Sequence, residues 1–437
     1  MTIEKLHEEF LASEGICTDT RKPVSGTLFF ALKGDNFDGN RFVPDALEKG
    51  CRLAVTERKE LEGTARVWYV PSVLDIFQQL AHHHRMLISP RVLAITGSNG
   101  KTTTKEIVSA ILSRKYSVLA TSGNLNNHIG VPLTLLSLKK EELAVIEMGA
   151  NHPGEIAKLA GIAAPELGLI TNVGKAHLEG FGSVEGVLKA KSELYEYLAS
   201  SGGRAIIDGS DQLLLERSAQ IGVDTLVIGK TGDLQVSGRI LDQTPFLKIE
   251  MDISGKKFQL RTRFVGAYNL QNMVLAAATG LHLEVPVDSI ADAISNYTPD
   301  NQRSQVVEGG GNRIILDAYN ANPTSMREAI TAFLEYASPP VMLILGDMAE
   351  VGENSLEEHR DLLGWIKKQP VERIIFAGPI FTEAGKPSSR LSIYQDTSDL
   401  KDALRLESPT GFNILIKGSR VMGLENIVPD LVGAPGI

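Results

Sequence analysis

The spacing of apolar residues changes along this chain, and each change marks a different kind of element. The opening MTIEKLHEEF mixes charged and apolar residues at helical spacing, which predicts an amphipathic helix start without the apolar core of a signal peptide. GTLFFAL, from Gly26 to Leu32, predicts a strand and runs into the turn-rich KGDNFDGNRF. DALEKG predicts a helix, Cys51 to Thr56 a strand, and Val67 to Val70 the end of another. Helical residues from Ser72 onward reach His82, His83 and His84. Adjacent positions on a helix do not share a face, so these side chains predict a solvated helix end rather than a metal site. Residues 1–84 therefore predict a small mixed α/β domain.

From Arg91 the pattern alternates between apolar runs and helical stretches. Val92 to Ile95 predicts a buried strand, a turn holds Gly97 and Gly100, and Lys101 opens a helix with Ile107, Ala110 and Ile111 on its apolar side. Further strands are predicted at 143–149, 167–174, 204–209 and 225–229, an alternation that implies a parallel sheet covered on both faces. After Asp233, LQVSGRI, FLKIEMDI and FQLRTRF switch to short alternating strands, predicting antiparallel hairpins at the domain edge. Gly266 to Leu281 returns to an alanine-rich helix. Pro, Asn and Gly density over Asn296 to Gly311 predicts a junction. Beyond it RIILDAY, PVMLILGDM, RIIFAGP and NILIKGS predict the strands of a third α/β unit. The expected fold class is α/β in three domains, over 1–84, 85–300 and 301–437, with the central one a P-loop-type parallel sheet with an antiparallel edge.

Composition narrows the function. At 437 residues the chain outgrows a single core, which agrees with several domains. A net charge of −9 and the lack of a Lys/Arg cluster argue against a nucleic-acid partner. No apolar run reaches membrane length, which argues against a membrane partner. Cys17 and Cys51 have no partner His spacing and predict two free thiols in a reducing compartment, so the expectation is a cytoplasmic protein.

Val92 to Leu112 carries the clearest chemistry. Strand, glycine turn, Lys-Thr and helix start make a phosphate cradle, because glycines let backbone N–H groups approach and a helix N-terminus favours negative charge. Gly97, Ser98, Asn99, Gly100, Lys101, Thr102 and Thr103 are the candidate triphosphate contacts, with Lys101 on the outer phosphates and Thr102 on Mg²⁺. The glycine spacing is shorter than in the common P-loop, where a glycine would replace Ile95. The plain alternative is a strand-to-helix turn bent by glycines.

Other candidates fall at predicted strand ends, where ligands gather in open parallel sheets. Glu147 suits Mg²⁺ beside Thr102, the alternative being a helix-capping acid. His177 suits a second divalent ion, the alternative being a structural hydrogen bond. Lys189 and Lys191 read from the pattern alone as surface lysines. Asp317 suits a ribose hydroxyl, while Tyr319, Asn320 and Asn322 form a turn that any helix start could equally use. Arg303, in the junction, suits a phosphate or ribose, and Lys417 and Arg420 suit a carboxylate.

Taken together, the motifs resemble the Mur ligase family over almost the whole chain. They are GTLFFALKGDNFDGN, TGSNGKTTTKE, TSGNLNNHIGVPLTLL, EMGANHPGEI, TNVGKAHLEGFGS, AKSELY, DAYNANPTSM, GDMAEVG and KGSRVMGLE. They are specific as a set, although no single one is. The resemblance implies a UDP-substrate-binding domain over 1–84, an ATP-binding domain over 85–300 and a Rossmann-like ligand-binding domain over 301–437. It implies ATP and two Mg²⁺ ions, with Lys101, His177 and Lys191 in catalysis. Thr102, Glu147, His177 and Lys191 would be the metal ligands, Lys191 as a carbamate. Asn272 resembles the adenine contact, and Arg303 and Asp317 the ribose and phosphate contacts. Thr20, Arg21, Lys33, Asn126 and Asn127 resemble contacts to the uridine-nucleotide substrate, and Tyr319, Asn322, Lys417 and Arg420 are the candidate dipeptide contacts. Tyr268, where relatives often carry His, and Ala318, where many carry Asp, depart from the pattern near the nucleotide.

The implied activity is ATP-dependent ligation of D-alanyl-D-alanine to UDP-N-acetylmuramoyl-tripeptide through an acyl phosphate, by a monomer, in peptidoglycan synthesis. Two rivals stand beside it. Another Mur-type or folylpolyglutamate-type amide ligase would share the phosphate loop, but the folate enzyme lacks an N-terminal unit of the GTLFFALKGDNFDGN kind. A P-loop NTPase acting as a binding module leaves Lys191 and YNANP unexplained.

Overall fold

The structure is a computed structural model describing residues 2–433 apart from 23, 35–36, 175–177, 245, 300–304 and 350, and only the backbone of 178–179 and 353. His177 and Arg303, both expected at the nucleotide, lie outside the described residues.

A four-stranded parallel sheet comes first, in the order Ile16–Cys17, Leu28–Phe30, Leu53–Thr56 and Val67–Tyr69. Its first strand has two residues, too few to leave a readable alternation. The Val73–Ile88 helix, capped by the Ser72 hydroxyl accepting from the Asp75 N–H at 3.2 Å, covers one face, where the Phe77 ring lies 5.0 Å from that of Phe30. The same helix packs against the Gly130–Leu135 and Glu155–Ala163 helices, so Phe77, Leu135 and Ile156 share one core. The 84/85 boundary falls inside this helix.

The histidines ending that helix are not a solvated end. His84 is buried; its Nε2 donates to the Leu138 carbonyl at 2.8 Å, which leaves Nδ1 to accept from His7 Nε2 at 2.9 Å. Arg85 is buried beside it and donates to the Ala163 and Ala164 carbonyls and to Glu166. The partners come from remote segments, which local periodicity does not report.

The central sheet has six parallel strands in the order Asp224–Ile228, Arg204–Asp208, Leu167–Ile170, Arg91–Thr96, Leu143–Glu147 and Val118–Ala120. Strands on either side of Arg91–Thr96 are reached by connections running opposite ways, so its carboxyl end is a topological switch point. Val236–Asp242, Lys248–Ile253 and Lys256–Arg261 form a separate three-stranded antiparallel sheet. Its inward residues Ile249, Met251 and Ile253 pack with the Asn269–His282 helix, whose buried Ala276, Ala277 and Ala278 permit a close approach.

A second six-stranded sheet follows, ordered Gln305–Gly309, Asn312–Asp317, Asn413–Lys417, Val341–Gly346, Arg373–Ala377 and Leu391–Tyr394. The stretch read as a junction thus contains a strand. Gln305–Gly309 pairs antiparallel with Asn312–Asp317 through Gly310 and Gly311, whose φ values of 58° and 76° make the tight hairpin turn possible. Cys17 and Cys51 are free and buried. Among the described residues no helix is long and apolar enough to cross a membrane.

Burial lowers the pKa of both His7 and His84, and neighbouring histidines push His7 further down. An unfolded imidazole titrates near about 6.5, so below that pH the unfolded chain binds protons that the folded pair resists, and stability falls as pH drops. We expect the difference in thermal midpoint between pH 7.5 and pH 5.5 to shrink in the double variant His7→Leu/His84→Met. An unchanged difference would remove the pair from the pH response.

Candidate active site

The phosphate loop begins where the Arg91–Thr96 strand ends. Gly97 has φ 142°, and a Cβ there would lie 2.1 Å from Thr171 Oγ1; at Gly100, φ 76°, it would lie 2.5 Å from Asn272 Oδ1. Only glycine satisfies both the conformation and the space. The loop is then pinned by polar contacts: Ser98 N–H donates to the Asn172 carbonyl at 2.9 Å, and Asn99 N–H to Asn172 Oδ1 at 3.0 Å. The Lys101–Leu112 helix follows without a side-chain cap, its N-terminus starting directly after Gly100. Lys101 Nζ folds back onto the Gly97 and Ser98 carbonyls at 2.7 and 3.1 Å.

A cleft of about 810 Å³ opens in front of this loop. From the central domain Ser98, Asn99, Gly100, Lys101, Thr102, Thr103, Asn126, Asn127, Glu147 and Asn272 line it, and from the last sheet Asp317, Tyr319, Asn322, Lys417 and Arg420. Gly97 and Lys191 do not reach its wall, and neither do Thr20, Arg21 and Lys33. Those three sit in the first domain. Arg21 pairs with Asp19, holding that carboxyl at about 2; the Thr20 carbonyl accepts from Lys49 Nζ, and Lys33 pairs with Glu57.

Glu147 caps no helix. It is buried, its N–H donates to Thr121 Oγ1 at 2.9 Å, and its Oε1 accepts from Asn126 Nδ2 at 2.8 Å. Its Oε2 is buried with no hydrogen-bond partner among the described residues. A carboxylate oxygen left so is costly, and a cation bound beside Thr102 would satisfy it. Among the described residues no group of three His, Cys, Asp or Glu side chains converges as a metal site. Lys191 is fully buried, unlike exposed Lys189; its Nζ donates to the Ala150 carbonyl at 3.3 Å and lies 5.2 Å from the Phe181 ring centre.

Across the cleft, Asp317 and Lys417 are register partners on adjacent strands and form an ion pair at 2.6 Å. Lys417 Nζ also donates to the Asn320 carbonyl at 3.1 Å, and its side chain is 4% exposed. Arg420 is exposed instead, 5.2 Å above the Tyr319 ring. Asn322 does cap a helix, Pro323–Tyr336, accepting from the Ser325 N–H at 2.8 Å; its Nδ2 also donates to Asn99 Oδ1 at 2.8 Å, joining the two walls. Burial pushes the Glu328 carboxyl up, although Lys417 draws it down. Burial also disfavours ionisation of Glu155, but the Asn151 and His152 N–H groups outweigh it and hold that carboxyl below its usual range.

Sequence reasoning missed an aromatic wall. The rings of Phe264 and Tyr297 stack at 5.5 Å and 8°, and Tyr268 and Pro299 line the cleft beside them. Gly266, φ 90°, leaves room for the Tyr268 ring, which a Cβ would meet at 2.4 Å. The pairing of aromatic residues with Gly266 and Pro299 is a local signal, but their convergence is tertiary.

Family profiles match in sequence: "Mur ligase family, catalytic domain" over residues 13–85, "Mur ligase middle domain" over 95–280 and "Mur ligase, glutamate ligase domain" over 302–420. The UDP-N-acetylmuramoyl-tripeptide--D-alanyl-D-alanine ligase of Bacillus subtilis is 35% identical over 435 residues, 96% of this chain and 93% of that one. The chain belongs to the Mur ligase family. A MurF crystal structure from Acinetobacter baumannii has a TM-score of 0.87 at 32% identity, covering 99% of this chain and 98% of that chain. A MurF ligase from Thermotoga maritima in complex with ADP has a TM-score of 0.84 at 28% identity, covering 96% and 97%.

Gly100→Ala tests the cradle. Its Cβ would strike the Asn272 amide and strain the turn, and we expect ADP affinity, measured by calorimetry, to fall by about tenfold or more at unchanged secondary structure. Wild-type affinity would show that the loop does not hold the phosphates.

Proposed function

We infer that this chain is an ATP-dependent ligase joining D-alanyl-D-alanine to UDP-N-acetylmuramoyl-tripeptide, the last peptide addition before UDP-N-acetylmuramoyl-pentapeptide enters peptidoglycan. One observation carries the reading: full-length likeness to ligases of that name, with the phosphate loop facing the YNANP segment across a single cleft. ATP supplies the leaving group. A carboxylate oxygen of the tripeptide attacks the γ-phosphorus, ADP departs, and the dipeptide amine then attacks the acyl carbon, releasing phosphate and a proton.

Each wall has its part. The amides from Gly100 to Thr103 would hold the phosphates, since Asn172 already takes the Ser98 and Asn99 N–H groups, and Lys101 leaves the Gly97 and Ser98 carbonyls to reach the transferring group. Thr102 and Glu147 are placed to hold Mg²⁺. When bound, the metal would neutralise charge on the phosphate oxygens. We assign a second ion to His177 and a carbamylated Lys191, whose side chain is fully buried. The aromatic wall of Tyr268 and Tyr297, rather than Asn272 alone, suits adenine, because Asn272 already accepts from Thr104 Oγ1 at 3.2 Å and donates to Asn269 at 3.0 Å. Asp317 and Arg303 serve the ribose and phosphates, and Thr20, Arg21 and Lys33 the uridine end. Asn126 directs Glu147, and Asn127 lines the same cleft. Because Lys417 is committed to Asp317, the dipeptide carboxylate falls to Arg420, with Tyr319 and Asn322 beside it. Two free, buried cysteines and nucleotide substrates support a cytoplasmic setting.

Phosphate release should require both UDP-N-acetylmuramoyl-tripeptide and D-alanyl-D-alanine; release that ignores either one sinks the reading. Arg420→Ala should raise KM for the dipeptide by about tenfold, as expected for losing a charge-assisted contact, with KM for ATP unmoved. Equal shifts in both would mean that Arg420 shapes the cleft instead. Lys191→Ala should lower kcat at least a hundredfold, a rise on the order of 3 kcal/mol in the barrier, and mass spectrometry at high bicarbonate should find the carbamate on the native chain only.

A further inference from the structure

Lys105 is fully buried in the helix behind the phosphate loop, and none of the roles above uses it. An ammonium is costly to bury unless its donors are matched. Here they are. Lys105 Nζ donates to the Thr121 carbonyl at 2.5 Å and pairs with Glu106 Oε1 at 2.8 Å.

Thr121 is the root of a longer chain of contacts. Itself buried, it accepts the Glu147 N–H on Oγ1 at 2.9 Å and donates its own N–H to the Val145 carbonyl at 3.0 Å. Five residues on, Asn126 accepts the Gly149 N–H at 2.8 Å and donates to Glu147 Oε1 at 2.8 Å. Gly149 allows that approach, since a Cβ there would lie 2.9 Å from the Asn126 amide. Thr102 and Lys105 stand three apart on one helix and are neighbours on its surface. One ammonium therefore joins the helix that carries Thr102 to the loop and strand that orient Glu147.

We infer that Lys105 is a positioning residue that fixes the separation of Thr102 and Glu147, and thereby sets how tightly the nucleotide's magnesium is held. The inference rests on the assignment of those two groups to the metal. An apolar side chain of similar length would fill the space but leave the Thr121 carbonyl and Glu106 unmatched, freeing the loop root to shift. Lys105 does not line the cleft, so its loss acts through the groups it holds, the Thr121 loop root that orients Glu147 and the Glu106 carboxylate.

The test uses the full chain with Lys105→Met, Thr121→Val and Glu147→Gln. Two readouts are taken: the Mg²⁺ concentration giving half-maximal phosphate release, and the rise in melting temperature when Mg²⁺ is added to protein holding a non-hydrolysable ATP analogue. For Lys105→Met the half-maximal Mg²⁺ should rise about tenfold or more, as for other groups that orient a metal ligand. KM for ATP at saturating Mg²⁺ should stay within about twofold, and the Mg²⁺-dependent rise in melting temperature should shrink. Thr121→Val, which keeps the carbonyl but loses the acceptor for the Glu147 N–H, should move both readouts the same way. A folded Lys105→Met with wild-type Mg²⁺ dependence overturns the proposal, as does a loss of ATP affinity equal at all Mg²⁺ concentrations. Should Lys105→Met not fold, Lys105→Gln, which removes the charge and shortens the reach to the Thr121 carbonyl, decides by the same criteria. Glu147→Gln separates the two levels: if it leaves Mg²⁺ dependence unchanged, the metal assignment itself fails, whatever Lys105 does.

Discussion

Position 97 has space for a hydrogen atom and no more, and the active cleft is built outward from that contact. With no Cβ there, the loop lies against Thr171 and Asn172 closely enough for Asn172 to take two of its backbone N–H groups. That contact fixes the exit direction of the loop, and hence where the Lys101–Leu112 helix aims its N-terminus. It also places Asn99 where the Asn322 amide can reach it from the other domain. The central sheet supplies the rest, because its switch point leaves the loop strand flanked by the strand ends of Glu147 and Ile170.

Apolar burial and polar matching divide the work. The core residues decide that sheets form and which faces are covered. The site is decided by polar groups inside that apolar frame, each of which must find a partner. His84 and Lys191 find theirs on segments far along the chain, and Lys105 on the strand end that follows its own helix. Glu147 Oε2, by contrast, is buried with no hydrogen-bond partner among the described residues, an acceptor that a bound cation would satisfy.

Much of the architecture was legible because parallel strands buried on both faces leave continuous apolar runs, as at Val92–Ile95 and 341–346. Short strands such as Ile16–Cys17 and Val118–Ala120 left no such run, and the Gly and Asn residues of the Gly310–Gly311 hairpin hid Gln305–Gly309 behind a turn signal. The phosphate loop was legible for a local reason, since glycine conformation and helix start lie within a few residues. The remainder of the site was not local. Nothing near Asn126 announces Glu147 as its acceptor, and nothing near Lys417 shows that Asp317, a hundred residues earlier, claims its charge. The aromatic wall depends on Phe264 and Tyr297 meeting across an intervening helix pair.

The amide-to-amide contact between Asn99 and Asn322 has a consequence for how the molecule cycles. A neutral hydrogen bond exchanged against water contributes only about 1 kcal/mol, a few-fold in population. The latch across the mouth therefore registers one wall on the other without locking it. A bulky nucleotide-sugar product can leave through a door held by so light a catch, and the strong charges that would have jammed it are tied up within each wall instead, Lys417 on Asp317 and Lys105 on Glu106.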